Sequence, residues 1–218
     1  MSKALTVASH ERPASYWEGG HYELNLSFDT LRDKQWQRTV QAIWDHPAMF
    51  GPLANRYTPG DAVAETIPVQ VPPPTATLTQ HGQLKIGEVV IGCDVQATRS
   101  LFECISVLVP VGMFAGITVG APIGQQIEQQ RAAWRDLDAV LYDIALHVYD
   151  TAPFRIAAIG YERGCQLPAE LQSNPDLCRA FLNAGNTLVQ DDVLRAIQFD
   201  LSPYQQVRAN LRWLSLQT

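Results

Sequence analysis

Leu101-Phe102-Glu103-Cys104-Ile105-Ser106-Val107-Leu108-Val109 and Phe154-Arg155-Ile156-Ala157-Ala158-Ile159-Gly160-Tyr161 bracket a long amphipathic segment, and these runs decide the fold. The first is rich in strand formers. The second is short and apolar, as a buried strand is. Between them Trp134, Leu137, Leu141, Ile144 and Val148 recur at alternating steps of 3 and 4, which sets all five on one helix face. Thr151-Ala152-Pro153 stops that helix, because proline disfavours the α region in the residue before it. Residues 101–162 therefore predict a strand, a glycine-spaced connection, a long helix and a second strand.

Toward the N-terminus, Tyr22, Leu24, Leu26 and Phe28 alternate with His21, Glu23, Asn25 and Ser27, the pattern of a strand with one buried face. Asp29 or Thr30 is placed to cap a helix that has Asp33 in its first turn. Trp36, Val40 and Ile43 form its inner stripe, and His46-Pro47 ends it. Residues 48–74 then change character. Gly51-Pro52, Pro59-Gly60 and the proline-bearing run at 68–74 predict a long surface loop within one domain.

A strand over 84–93 and a turn through 94–100 complete a β-α-β-β-α-β order. That order predicts a single α+β domain over residues 1–218, with an antiparallel or mixed sheet and two main helices on one face. This is a ferredoxin-like plan with a C-terminal extension. In the extension Asn174 is placed to cap a short helix over 175–182, and residues 197–201 alternate like a strand. Residues 203–216 fit either a strand or a helix opened by Ser202-Pro203, with the strand preferred.

With 46% hydrophobic and 17% charged residues the chain is built to fold. Its net charge of -6 argues against nucleic acid as a partner, since phosphate binding draws on Lys and Arg. The same charge suits plain solubility or a basic protein partner. The opening residues hold no apolar run of signal-peptide length. Four cysteines without a C-x-x-C spacing fit reduced thiols in a cytoplasmic protein. Cys93 and Cys104 are the pair that a hairpin would bring face to face.

Residues 104–126 carry no charge and place Gly112, Gly116, Gly120 and Gly124 at every fourth position. A membrane-spanning helix has such a length and such small-residue spacing, so a membrane-associated protein is one alternative. Pro110, Pro122 and the β-branched Ile117-Thr118-Val119 favour instead a strand followed by a buried, glycine-bent loop.

The sequence contains no nucleophile elbow, phosphate-binding loop, H-E-x-x-H or dinucleotide fingerprint. Asp143 and His147, four apart on the long helix, can touch as a metal pair or an oriented base does. Both fall outside the apolar stripe, where a solvated ion pair is expected. Glu103 is in phase with Ile105 and Val107, and a carboxylate aimed at an apolar face is a candidate acid or base. The plainer expectation is a strand-end carboxylate that reaches water or pairs with Arg99 or Arg155. His46 is expected as a helix-end cation, His21 and Glu23 in water, and His10 and His81 in loops without local partners.

Tyr16 and Trp17, ahead of Gly19-Gly20, have the character of an exposed aromatic anchor. Asp61 and Glu65 add acidic groups in the long loop. No metal or cofactor is expected. These features support a non-catalytic protein-binding module, such as an inhibitor or immunity-type protein that neutralises a basic partner. An enzyme with a motif-less acid/base site built from Glu103, Asp143 and His147 is the other alternative.

Overall fold

The computed structural model describes residues 16–62, 64–100, 103–115, 123–165 and 173–215. β1 (His21–Phe28) leads through α1 (Asp33–Trp44) to β2 (Met49–Leu53), β3 (Ala76–Ile86), β4 (Val89–Arg99) and β5 (Glu103–Pro110). A short α2 (Gly112–Ala115) and the long α3 (Ile123–Thr151) precede β6 (Ile156–Tyr161). α4 (Pro175–Asn183), β7 (Asn186–Gln190), α5 (Asp191–Ala196), β8 (Gln205–Arg208) and β9 (Leu211–Leu214) complete the order. The strands form one antiparallel sheet, β2-β3-β4-β5-β1-β6-β7-β9-β8.

The α+β class and the antiparallel sheet agree with the sequence pattern, but the sheet is larger than a ferredoxin-like plan. Nor do all the helices share one face: the two main ones, α1 and α3, pack in one cluster, and α4 and α5 in another. Leu24 and Leu26 of β1, Trp36 and Ile43 of α1, and Leu137, Leu141, Ile144 and Val148 of α3 are fully buried in one cluster. Ala157, Ile159 and Leu188 join them. The alternate residues Ile156 and Val189 point the other way, into a second cluster with Cys178 and Leu182 of α4 and Val193 and Leu194 of α5. Trp134 sits at the rim of the first cluster, 4.8 Å from the Tyr22 ring.

β3 and β4 depart most from expectation. They meet through the two-residue loop Gly87-Glu88, with Ile86 opposite Val89 and Ala76 opposite Arg99. Gly87 has φ +57, which suits a hairpin turn with glycine at its first central position. The strand expected over 84–93 is therefore two strands, and most of 94–100 is strand rather than turn. A lone glycine between Ile86 and Val89 interrupts the apolar pattern too little to reveal the turn.

α1 starts later than expected. Arg32 occupies the N-cap and donates its backbone N–H to Gln35 Oε1 at 2.9 Å, so neither Asp29 nor Thr30 caps the helix. The first part of the expected loop, Met49–Leu53, is strand β2, and the rest is exposed over much of its length yet anchored to the sheet and core. Ala54 N–H reaches the Glu65 carbonyl at 2.9 Å, Ile67 N–H reaches Pro52 at 2.8 Å, and Val69 and Val71 pack on the main core. With its oxygen turned toward Gln70, the Gln80 amide pairs with both the N–H (3.0 Å) and the C=O (3.2 Å) of that residue.

α3 begins at Ile123, so the last part of the uncharged run is helical rather than loop; Gly116, Gly120 and Pro122 lie outside the described residues. Among the described residues no helix is long and apolar enough to cross a membrane. Asn174 caps α4 as expected, accepting the Leu177 N–H at 3.1 Å. Residues 197–201 are not a strand; they follow the unexpected helix α5. Within 203–215 the strand choice holds, as the β8–β9 hairpin, which Arg208 ties to Asp150 of α3 through two bonds of 2.8 and 2.9 Å.

Candidate functional site

The hairpin register sets His81 of β3 directly opposite Asp94 of β4. His81 Nδ1 lies 2.7 Å from Asp94 Oδ1, and Arg56 Nη2 donates to Asp94 Oδ2 at 2.9 Å. The Asp94 side chain is only 3% exposed, so its charge is held by these two partners. The Arg56 guanidinium also stacks 4.6 Å over the Trp17 ring. A continuous path thus runs from Trp17 through Arg56 and Asp94 to His81. It corrects the expectation that His81 lies in a loop without a partner.

With Nδ1 engaged by the carboxylate, the Nε2 lone pair of a neutral His81 faces away from Asp94. That is the orientation of a general base. No hydroxyl or thiol among the described residues is hydrogen-bonded to His81, so the base lacks a protein nucleophile to activate. Counting outward from the Gly87-Glu88 turn would have found the pair in the sequence, had the turn been recognised.

The proposed binding residues separate. Tyr16 is 6% exposed and part of the main core, so it is no surface anchor. Trp17 is half-buried, held by Arg56 and packed close to Gly92. Asp61 and Glu65 are exposed in the loop that carries Arg56, and Glu18 is exposed beside Trp17. None of these three carboxylates makes an ion pair among the described residues. By contrast Arg56, Arg99, Arg155, Arg179, Arg195, Arg208 and Arg212 are each spent on a carboxylate of this chain. Among the described residues Glu18, next in sequence to Trp17, and Asp61 and Glu65, in the loop that carries Arg56, thus remain exposed acidic groups outside these pairs.

Asp143 and His147 gather a third member, His46. Its Nε2 lies 3.1 Å from Asp143 Oδ2, its ring sits 5.4 Å from that of His147, and its Nδ1 accepts the Ala48 N–H at 3.2 Å. Since Nδ1 accepts, Nε2 must carry the proton and donate to Asp143. A protonated Nε2 has no lone pair for a metal, and among the described residues no group of three or more His, Cys, Asp or Glu is arranged to hold one.

Burial lowers the His46 pKa, opposed by Asp143 and helped by His147, so His46 is a neutral clamp between α1 and α3 and not the expected helix-end cation. Because its folded value lies below the ordinary 6.5, the unfolded chain binds the extra proton first. Stability should hold above pH 6.5 and fall as the solution is acidified below it, by at most about 1.4 kcal/mol per pH unit from this group. Urea denaturation across that range, compared with His46→Gln, measures the difference.

Glu103 stands opposite Arg99 at the start of β5 and accepts the Leu31 N–H. It braces the entry to α1 and has no contact with the His46 cluster, so the three suggested catalytic residues do not form one site. Glu23 is not free in water either; it accepts the N–H of Gly164 at 3.0 Å and the Asn25 amide at 2.8 Å. Arg155 donates to Gln190 and Asp192.

Two further groupings escaped the sequence pattern. Tyr22 donates to Asp138 at 2.5 Å, and burial raises the Asp138 pKa against the hydrogen bonds from Tyr22 and Asn186. A polar recess of about 270 Å³ is lined by Gln190, Asp191, Asp192, Arg195 and Asn210.

Fold and site together define an acidic α+β protein with a nine-stranded antiparallel sheet and an aspartate-oriented histidine beside an acidic loop. No protein-family model, curated protein or solved structure matches this chain.

Proposed function

We propose that this chain is a non-catalytic protein-binding module, of the inhibitor or immunity type, whose acidic face around Trp17 receives a basic partner. The observation that carries this reading is the division of charge. Seven arginines are consumed in internal pairs, while Glu18, next in sequence to Trp17, and Asp61 and Glu65, in the loop whose Arg56 stacks on that ring, face solvent. Such a field speeds encounter with a cationic surface, and a fixed tryptophan loses little freedom on contact. The module is read as cytoplasmic, with neither nucleic acid nor membrane as its partner. Its four adjacent strands β6-β1-β5-β4, with α1 after β1 and α3 after β5, support a ferredoxin-like centre widened at both edges.

Affinity capture with the whole chain as bait, at low and at high salt, tests the reading. Retention of a basic protein that high salt releases supports it. Retention only of acidic proteins, or of none, speaks against it.

A second reading rests on the His81–Asp94 pair. An oriented imidazole is the start of a hydrolytic site that would take its nucleophile from water or substrate. Turnover of an ester or amide probe, abolished by His81→Gln in a folded protein, would favour this enzyme over the module.

A further inference from the structure

We propose that Cys104 and Cys165 form a redox-responsive clip, opened by thiol–disulfide exchange with glutathione, that fixes helix α4 to the sheet. The two cysteines are joined in a disulfide with Cα atoms 6.2 Å apart, within the span such a bond requires. This corrects two expectations: Cys104 pairs with Cys165 rather than Cys93, and only Cys93 and Cys178 are free. The inference rests on the cytoplasmic reading above. In that compartment disulfides are transient or redox-sensing rather than permanent.

The surroundings fit a bond with two states. Cys104 is buried on β5, whereas Cys165 is partly exposed in the turn after β6, open to an attacking thiolate. Beneath them Ser106 donates to Asn25 at 2.5 Å. Ser106 Oγ lies 3.6 Å from the Cys104 sulfur, and Asn25 Oδ1 lies 3.7 Å from the Cys165 sulfur. Each thiol of the reduced form therefore has a polar neighbour ready. Cys93 and Cys178 do not compete; burial raises both thiol pKa values, that of Cys178 to about 11.

The turn that carries Cys165 is a junction. Glu162 N–H bonds the His21 carbonyl at 3.0 Å, and Gly164 N–H bonds Glu23. Arg163 donates to the Phe181 carbonyl of α4 at 2.7 Å and lies 4.5 Å over the Phe181 ring. Gly160 and Gly185 flank its side chain, and a Cβ on either would come within 3.0 Å of it. Freeing the cysteine end of this turn loosens the arginine that holds α4.

The exchange balances. A glutathione thiolate attacks the Cys165 sulfur, the S–S bond breaks, and Cys104 leaves as a thiolate that takes up a proton. A second glutathione then displaces the Cys165 thiol from the mixed disulfide and forms glutathione disulfide. Two small thiols are oxidised and one protein disulfide is reduced.

The full chain, equilibrated over a series of reduced-to-oxidised glutathione ratios and quenched by alkylation, provides the test. Cys104 and Cys165 should become reactive together within the series while Cys93 and Cys178 stay protected until the chain is denatured. Reduction should lower Tm by about 10 °C and speed tryptic cleavage at Arg163 and Arg179. Cys104→Ser/Cys165→Ser should show the lower Tm at every ratio; wild-type protein, reduced directly, gives the same reading if that variant folds poorly. Four free thiols in the denatured oxidised protein, a bond that resists every ratio, or opening without faster cleavage at Arg179 would each overturn the proposal.

Discussion

Gly82→Ala should lower Tm by about 6 to 12 °C, from a destabilisation of about 3 kcal/mol. Gly82 lies at the middle of β3 on the face covered by α1, and the indole of Trp44 rests directly on its backbone. A Cβ there would run into the Trp44 ring and approach the Phe50 carbonyl oxygen to 2.8 Å. Neither neighbour yields cheaply, since Trp44 is 5% exposed and Phe50 is held by its pairing with Gln83 across β2 and β3. Trp44→Leu should recover part of the loss in the double variant, because the two residues share one contact. Thermal unfolding of the four proteins measures it. Gly60→Ala is a poor comparison, because its φ of +98 strains any side chain even in open space. A strictly additive double variant would show that the ring does not occupy the glycine's side-chain space.

Asp191→Ala should cost about 3 kcal/mol, while Arg195→Ala should cost less than about 1 kcal/mol. The Asp191 side chain, 8% exposed, accepts from Arg212 Nε at 2.7 Å and from Arg195 at 3.3 Å. Arg195 is 67% exposed and returns to water when its partner goes. Arg212, on β9 between β7 and β8, is 19% exposed and is left as a poorly compensated charge. Asp191→Asn should fall between the two, because the amide oxygen still accepts one hydrogen bond. Chemical denaturation separates the outcomes; equal losses for Asp191→Ala and Arg195→Ala would show that the buried carboxylate carries no special weight.

Both predictions turn on features that local sequence patterns do not expose. The α3 stripe and the β1 alternation were legible because each buries one face, so Leu137, Leu141 and Leu24, Leu26 recur at the period of their own element. The β3–β4 turn was not, because Gly87 is the only turn former between Ile86 and Val89 and the run reads as one strand. Losing the turn lost the register, and with it the meeting of His81 and Asp94. Asp191 reads as an ordinary helix-start acid, since its arginine partners lie 4 and 21 residues away. The Cys104–Cys165 bond spans 61 residues, a distance over which spacing says nothing. His46 was visible as a helix end, but its burial depended on α3 crossing α1.

The acidic face is tested most directly by the association rate of the captured basic partner with wild-type chain and with Asp61→Lys/Glu65→Lys. The rate should drop by about tenfold or more at low salt, the gap should close at high salt, and Tm should stay unchanged. Equal rates for the two proteins at low salt would contradict it.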